Sequence, residues 1–315
     1  MKKYWKEILT AFALVTVIPW LTFGLLTREK PQNDTLHTTA RTATENKKIN
    51  VWHDDKMETM ELSAYLTGVL LQEIPGNFHM EAKMAQAVVA RTYTLRSVAV
   101  KNKHPMNGIC TDSACCQAYC SPEAYLARGG SEDVVAQARE AVEKTDGMVL
   151  TYGGELIDAT YFSCSGGQTE DAVAVWGNNI PYLQSVDSPG EENADHYTDE
   201  IIFTPEQFQT AIGRKLTGSP ASWFGETLYT RGGGVAYMTV GGKTYDGVTL
   251  RSILGLRSTA FSVKVDNQNI TFTSKGFGHR VGMSQYGADA MAESGKSWQE
   301  ILLHYYTGTQ ISTLS

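Results

Sequence analysis

The chain has 315 residues, of which 42% are hydrophobic and 19% charged, and its formal net charge is -7. That is enough apolar material for one large domain, or for two lobes, with a real core. The acidic balance and the lack of a long basic patch argue against nucleic acid as a partner.

Lys2, Lys3 and Lys6 precede an uncharged run of twenty residues from Ile8 to Thr27. A run of that length just spans a bilayer as a helix, and Pro19 is tolerated within it. Lysines before the run predict a cytoplasmic N-terminus and an exported remainder. No small-x-small cleavage site follows, so residues 1–27 read as a cytoplasmic stub and an uncleaved transmembrane anchor rather than a signal peptide. Residues 28–48 are polar and poor in large apolar side chains, which predicts a disordered tether. The folded domain is expected over 49–315, opening with a strand over Ile49–His53.

Leu62, Tyr65, Leu66, Val69 and Leu70 recur at helical spacing, and Pro75 stops that helix. A second, alanine-rich helix follows from about Met80 through Leu95. Glu73 sits at the seam. The negative end of the helix dipole and its apolar neighbours Leu71 and Ile74 should both raise its pKa, as a general acid requires.

Further along, 132–143 predicts an amphipathic helix, and 148–152 with 155–162 a hairpin about Gly153-Gly154. Ser163-Cys164-Ser165-Gly166-Gly167 is a small-residue loop on a strand end. The 191–200 segment is acidic and reads as loop. Thr204 caps a short helix that has Pro205 at its first position. Strands and turns fill 227–261, except for a short helix over 247–256. A hairpin follows over 261–274, and Ser297-Trp298-Gln299-Glu300 is a capping box for a last helix. The expected class is α+β: mixed helices and antiparallel strands in two lobes with a groove between, preceded by one transmembrane helix.

Three clusters carry candidate chemistry. His104, Cys110, Cys115, Cys116 and Cys120 lie close together in sequence. Zinc takes four nitrogen and sulfur ligands across short loops, whereas disulfides suit an exported domain, although the adjacent Cys115 and Cys116 are poorly placed to pair with each other. The second cluster, Lys275 to Ala288, offers His279, Ser284, Gln285 and Tyr286 among glycines that let a backbone approach a ligand. The third, Tyr161 to Glu170, contains Ser163, Ser165, Gly166 and Gln168 but no Gly-x-Ser-x-Gly elbow. It suits a sugar-contacting loop better than a nucleophile.

Taken together, Gln72-Glu73-Ile74-Pro75, Gln86 to Tyr93, Ser163 to Thr169, Leu250 to Phe261 and Gly278 to Ala288 resemble the stage II sporulation protein D family, over about 51–311. The resemblance implies a sporulation-specific lytic transglycosylase of peptidoglycan glycan strands acting during engulfment, with Glu73 as catalytic acid/base. It also implies glycan strands freed of stem peptides as substrate, and a wall amidase with associated membrane proteins as partners. The catalytic domain would face the space outside the mother-cell membrane. A structural zinc is implied at His104, Cys110, Cys116 and either Cys115 or Cys120, with no cofactor for catalysis. Arg91, Tyr93, Ser163, Ser165, Gly166, Gln168, His279, Ser284, Gln285 and Tyr286 are the expected substrate contacts or their supports. Arg280 stands where the family pattern has glycine and is expected to narrow the groove. The rival readings are a zinc-dependent wall amidase or peptidase, and a non-enzymatic glycan-binding scaffold.

Overall fold

A computed structural model describes residues 48–101, 104–195, 197–266 and 268–314. The expected anchor and nearly all of the expected tether lie outside the described residues. Among those described, no helix is long and apolar enough to cross a membrane. The tether's predicted last residue, Lys48, instead opens the first strand and pairs with Glu61.

The opening hairpin is β1 (Lys48–His53) and β2 (Lys56–Glu61), and it runs directly into α1 (Leu62–Glu73). The helix ends where Ile74, extended before Pro75, leaves the α region. His79 caps α2 (Met80–Arg96), accepting the Glu81 N–H on its side chain. Residues 82–92 of α2 are all buried, so the helix is enclosed on every side and forms the axis of the main core. That enclosure is why its sequence is rich in alanine rather than divided into two faces.

β3 (Ile109–Cys110) pairs in parallel with β1, and two helices follow, α3 (Pro122–Ala127) and α4 (Glu132–Lys144). β4 (Met148–Tyr152) then sits between β5 (Glu155–Leu156) and the C-terminal strand Gln310–Thr313. The hairpin expected to run to Phe162 is therefore short. Its far end, β6 (Tyr161–Phe162), pairs instead with Met283–Ser284 in parallel. That pairing brings two of the three chemical clusters side by side.

A short helix, α5 (Ala172–Trp176), precedes a second hydrophobic core built around Phe208, Trp223, Phe261 and Phe272. Its elements are β7 (Thr198–Phe203), α6 (Pro205–Ala211), β8 (Phe224–Tyr229), β9 (Val235–Val240), β10 (Lys243–Asp246), α7 (Gly247–Leu254), β11 (Phe261–Val265) and β12 (Ile270–Lys275). They make two three-stranded sheets, β10-β9-β8 and β11-β12-β7, all antiparallel. The segment read as acidic loop thus becomes strand from Thr198, where alternate residues turn inward. The chain then returns to the main core with β13 (Met283–Ser284), α8 (Gln285–Glu293), α9 (Trp298–Tyr305) and β14 (Gln310–Thr313). The α+β class holds, and the described residues form two large hydrophobic cores and a small third cluster around Leu95, Val149 and Leu156.

Candidate active site and metal cluster

A groove of about 1060 Å³ runs past the end of α1. Glu73 lines it together with Tyr93, Ser163, His279, Gln285 and Tyr286. Cys115 and Cys116 form part of its wall, and Trp176 and Arg251 are further lining residues. Five of the ten expected substrate contacts therefore lie in one cleft with the expected catalytic acid.

Burial is the main cause that raises the Glu73 pKa from its ordinary value. The Ala118 N–H donates to Oε1 at 2.7 Å and opposes that rise, as do Tyr161 and Gln285 alongside. Desolvation wins over the three polar neighbours, so the group is poised toward its protonated form without being isolated. Tyr161 in turn donates to Gln117 Oε1 at 3.2 Å, and Gln117 Nε2 donates to Thr94 at 2.9 Å. The buried Gln285 side chain lies beside the Glu73 carboxyl and favours its charged form.

His279 packs between Phe162, at 5.5 Å, and Trp176, at 5.3 Å between ring centroids. Its Nδ1 accepts the Val281 N–H at 3.1 Å. Burial, with the Arg251 charge nearby, lowers its pKa to about 4, so the ring is neutral near pH 7. The Tyr286 ring packs edge-on against Phe78 at 5.0 Å.

The other five expected contacts do other work. Arg91 is 1% exposed and donates to the carbonyls of Val142, Thr145 and Met148, closing the C-terminal end of α4. It supports the fold and does not reach the groove. Ser165, Gly166, Gln168 and Ser284 are absent from the groove lining as well, and three of them converge on one carboxylate that sequence reasoning missed. Glu191, 2% exposed, accepts from the Ser165 N–H at 2.9 Å, the Ser165 hydroxyl at 2.7 Å and the Gly166 N–H at 2.9 Å. Its other oxygen accepts the hydroxyls of Ser188 and Ser284. This buried carboxylate fastens the small-residue loop to the start of α8 and so places Ser163 and Gln285 on the groove wall. Gly166 has φ +76°, and a Cβ there would come within 2.8 Å of the Lys275 backbone, so only glycine fits.

Arg280 also departs from expectation. It does not narrow the groove. Its buried guanidinium donates to the carbonyls of Ser165, Gln168 and Gly232, 3.9 Å from Glu170. Its φ of 65° is the left-handed conformation that favours glycine, and the three carbonyl bonds hold arginine there.

Next to the groove, one ligand atom each from His104, Cys110, Cys115 and Cys116 falls within 4.8 Å of the others. His104 Nε2 lies 3.4 Å from Cys115 Sγ and 3.5 Å from Cys116 Sγ, and the two sulfurs are 3.8 Å apart. A tetrahedral zinc with bonds of about 2.0–2.3 Å sets its ligands roughly 3.4–3.8 Å apart. The donor set fits a metal, and none of these cysteines is in a disulfide. Cys120 is not in the cluster: its thiol contacts the Ser121 carbonyl, and its N–H donates to Gly68 of α1. At Gly68 a Cβ would strike the Tyr119 ring at 2.2 Å, so the cysteine loop docks closely on the helix that carries Glu73.

A sequence profile described as Stage II sporulation protein matches residues 53–152, which hold Glu73 and the whole cysteine cluster. The chain is 40% identical over 264 residues to stage II sporulation protein D of Bacillus subtilis, covering 82% of this chain and 76% of that protein. It is 41% identical over 261 residues to stage II sporulation protein D of Bacillus amyloliquefaciens, covering 81% and 75%. It is also 28% identical over 306 residues to the amidase enhancer of Bacillus subtilis, covering 79% of this chain but 40% of that one. The chain belongs to the stage II sporulation protein D family.

Proposed function

We propose that this sporulation protein is a lytic transglycosylase of peptidoglycan glycan strands, with Glu73 as its acid and then its base. The carrying observation is a desolvated carboxyl of raised pKa in a groove lined by aromatic and amide side chains. In the first half-reaction the protonated Glu73 gives its proton to the oxygen between N-acetylmuramic acid and N-acetylglucosamine, and the bond from the muramic C1 to that oxygen breaks. In the second, the Glu73 carboxylate takes the proton of the muramoyl 6-hydroxyl as that oxygen bonds to C1. A 1,6-anhydro ring closes, water is not consumed, and Glu73 is protonated again. A glycosidase ordinarily needs two carboxyl groups; here the substrate's own hydroxyl replaces the second.

His104, Cys110, Cys115 and Cys116 would hold one zinc ion. Four protein ligands leave no open position, which favours a structural role over the catalytic one of a zinc amidase. The ion would supply a fixed fold to the loop whose Ala118 N–H orients Glu73.

The reading extends to the surroundings. Strands freed of stem peptides are the substrate, and a wall amidase with the membrane proteins of engulfment are the partners. The name of the relative called an amidase enhancer supports the amidase link. The domain would stand outside the mother-cell membrane on its N-terminal anchor, and protease added to intact protoplasts would then remove it. Mass spectrometry of digested glycan tests the chemistry: anhydromuramic ends support the proposal, and reducing ends would indicate a hydrolase.

A further inference from the structure

Arg251 sits on the last turn of α7, in the same groove as Glu73. Of the other arginines after residue 200, three are matched with carboxylates, Arg231 with Asp171 at 2.6 Å, Arg257 with Asp199 at 3.0 Å and Arg280 with Glu170 at 3.9 Å, while the Arg214 guanidinium is met by the Val240 and Gly241 carbonyls and the Tyr245 hydroxyl. Arg251 has no carboxylate within ion-pair distance among the described residues. Its one side-chain hydrogen bond among the described residues runs from Nε to the Leu256 carbonyl at 3.4 Å, which leaves the outer nitrogens of the guanidinium for something else. Stabilising the negative end of α7 is the plainer role. A residue on the solvent face would do that equally well, and Arg251 is partly buried. Burial lowers its pKa, and its charge lowers that of His279. An unmatched cation in a half-dry groove is costly until an anion arrives.

We infer that Arg251 is a specificity residue that pairs with a carboxylate borne by the sugar itself, the lactyl carboxylate of N-acetylmuramic acid. The inference rests on the glycan reading above. Of the two sugars in the strand, only the muramic residue carries a carboxyl group. That group is an amide while a stem peptide is attached and a free carboxylate once the peptide is gone. A planar guanidinium matches a carboxylate through two parallel hydrogen bonds and an amide carbonyl less well. Arg251 thereby makes the groove read whether the strand has been stripped.

The test uses Glu73→Gln protein, so that ligands bind without being cleaved, and two tetrasaccharides of alternating N-acetylglucosamine and N-acetylmuramic acid. One carries free lactyl carboxyls and the other carries them as methylamides. Calorimetric titration of the Arg251-intact protein should show the free acid bound roughly ten- to a hundredfold more tightly, the range for a hydrogen bond between charged groups. In Arg251→Gln the preference should fall to about one, and its salt dependence should vanish. Arg251→Lys, which keeps charge but not the fork, should retain part of the preference. A preference kept by Arg251→Gln, or two affinities that fall in proportion, would overturn the inference and leave Arg251 a structural residue. If neither tetrasaccharide binds the Arg251-intact protein, the glycan reading fails and takes this inference with it.

Discussion

The Ala118 N–H donates to Glu73 Oε1 at 2.7 Å, and Ala118 lies two residues beyond Cys116 of the metal cluster. The candidate acid is thus oriented by the backbone of the cysteine loop. The next residue back, Gln117, holds Tyr161 against the same carboxyl. Whatever fixes the loop fixes the acid, so a metal held by the His/Cys cluster would act on the groove through that loop.

The first expectation concerns that loop. Purified protein should contain about one zinc per chain, Cys115→Ser should lose it, and Cys120→Ser should keep it. Loss of the ion should lower the Tm by roughly 5 °C or more, since each kcal/mol shifts Tm by about 2–4 °C in a domain of this size. Metal retained by Cys115→Ser but lost from Cys120→Ser would reassign the fourth ligand.

A second expectation follows from the raised pKa of Glu73. The folded carboxyl holds its proton to higher pH than the unfolded one, whose ordinary value is 4.5. Relative stability is then intact below about pH 4.5 and declines as pH rises through the folded pKa. Glu73→Gln keeps an oxygen for the Ala118 N–H and removes the cost of a buried charge. It should therefore melt higher than the parent at pH 8, and the gap should close toward pH 4. A gap that instead widens on acidification would mean that Glu73 is stabilised as its anion.

Glu191 bears on how far the site was legible in the sequence. Glu73 was readable because Pro75 fixes where its helix ends and its apolar neighbours announce burial. The cysteine cluster was readable from spacing, although only coordinates could choose Cys115 over Cys120. Ser165 and Ser284 were misread because a hydroxyl facing sugar and one facing a buried carboxylate look alike in sequence. Their partner, Glu191, lies in an acidic stretch that resembles solvated loop, and nothing local marks it as buried. Arg91 and Arg280 were misread for a related reason: each guanidinium is spent on backbone carbonyls from distant segments, which no local pattern reveals. The two cores were foreseen only as two lobes, and the parallel pairing of β6 with β13, far apart in the chain, was not foreseen.

The third expectation is therefore that Glu191→Ala is costly. It strips acceptors from the Ser165 and Gly166 N–H groups and from three buried hydroxyls. Each buried donor left unsatisfied costs about 1–3 kcal/mol before relaxation, so a loss on the order of 3–5 kcal/mol in urea unfolding is expected. A change within about 0.5 kcal/mol would show that the network does not hold the loop.

The central claim is that Glu73 moves the proton, and the most direct measurement is the rate at which purified Glu73→Gln releases anhydromuramic ends from glycan stripped of peptide. The substitution keeps shape and hydrogen bonding and removes only the transferable proton. General acid–base groups contribute about 10²–10⁴-fold, so the account predicts a fall of at least a hundredfold with the fold and glycan binding preserved. Release at a rate near that of the parent protein would contradict it.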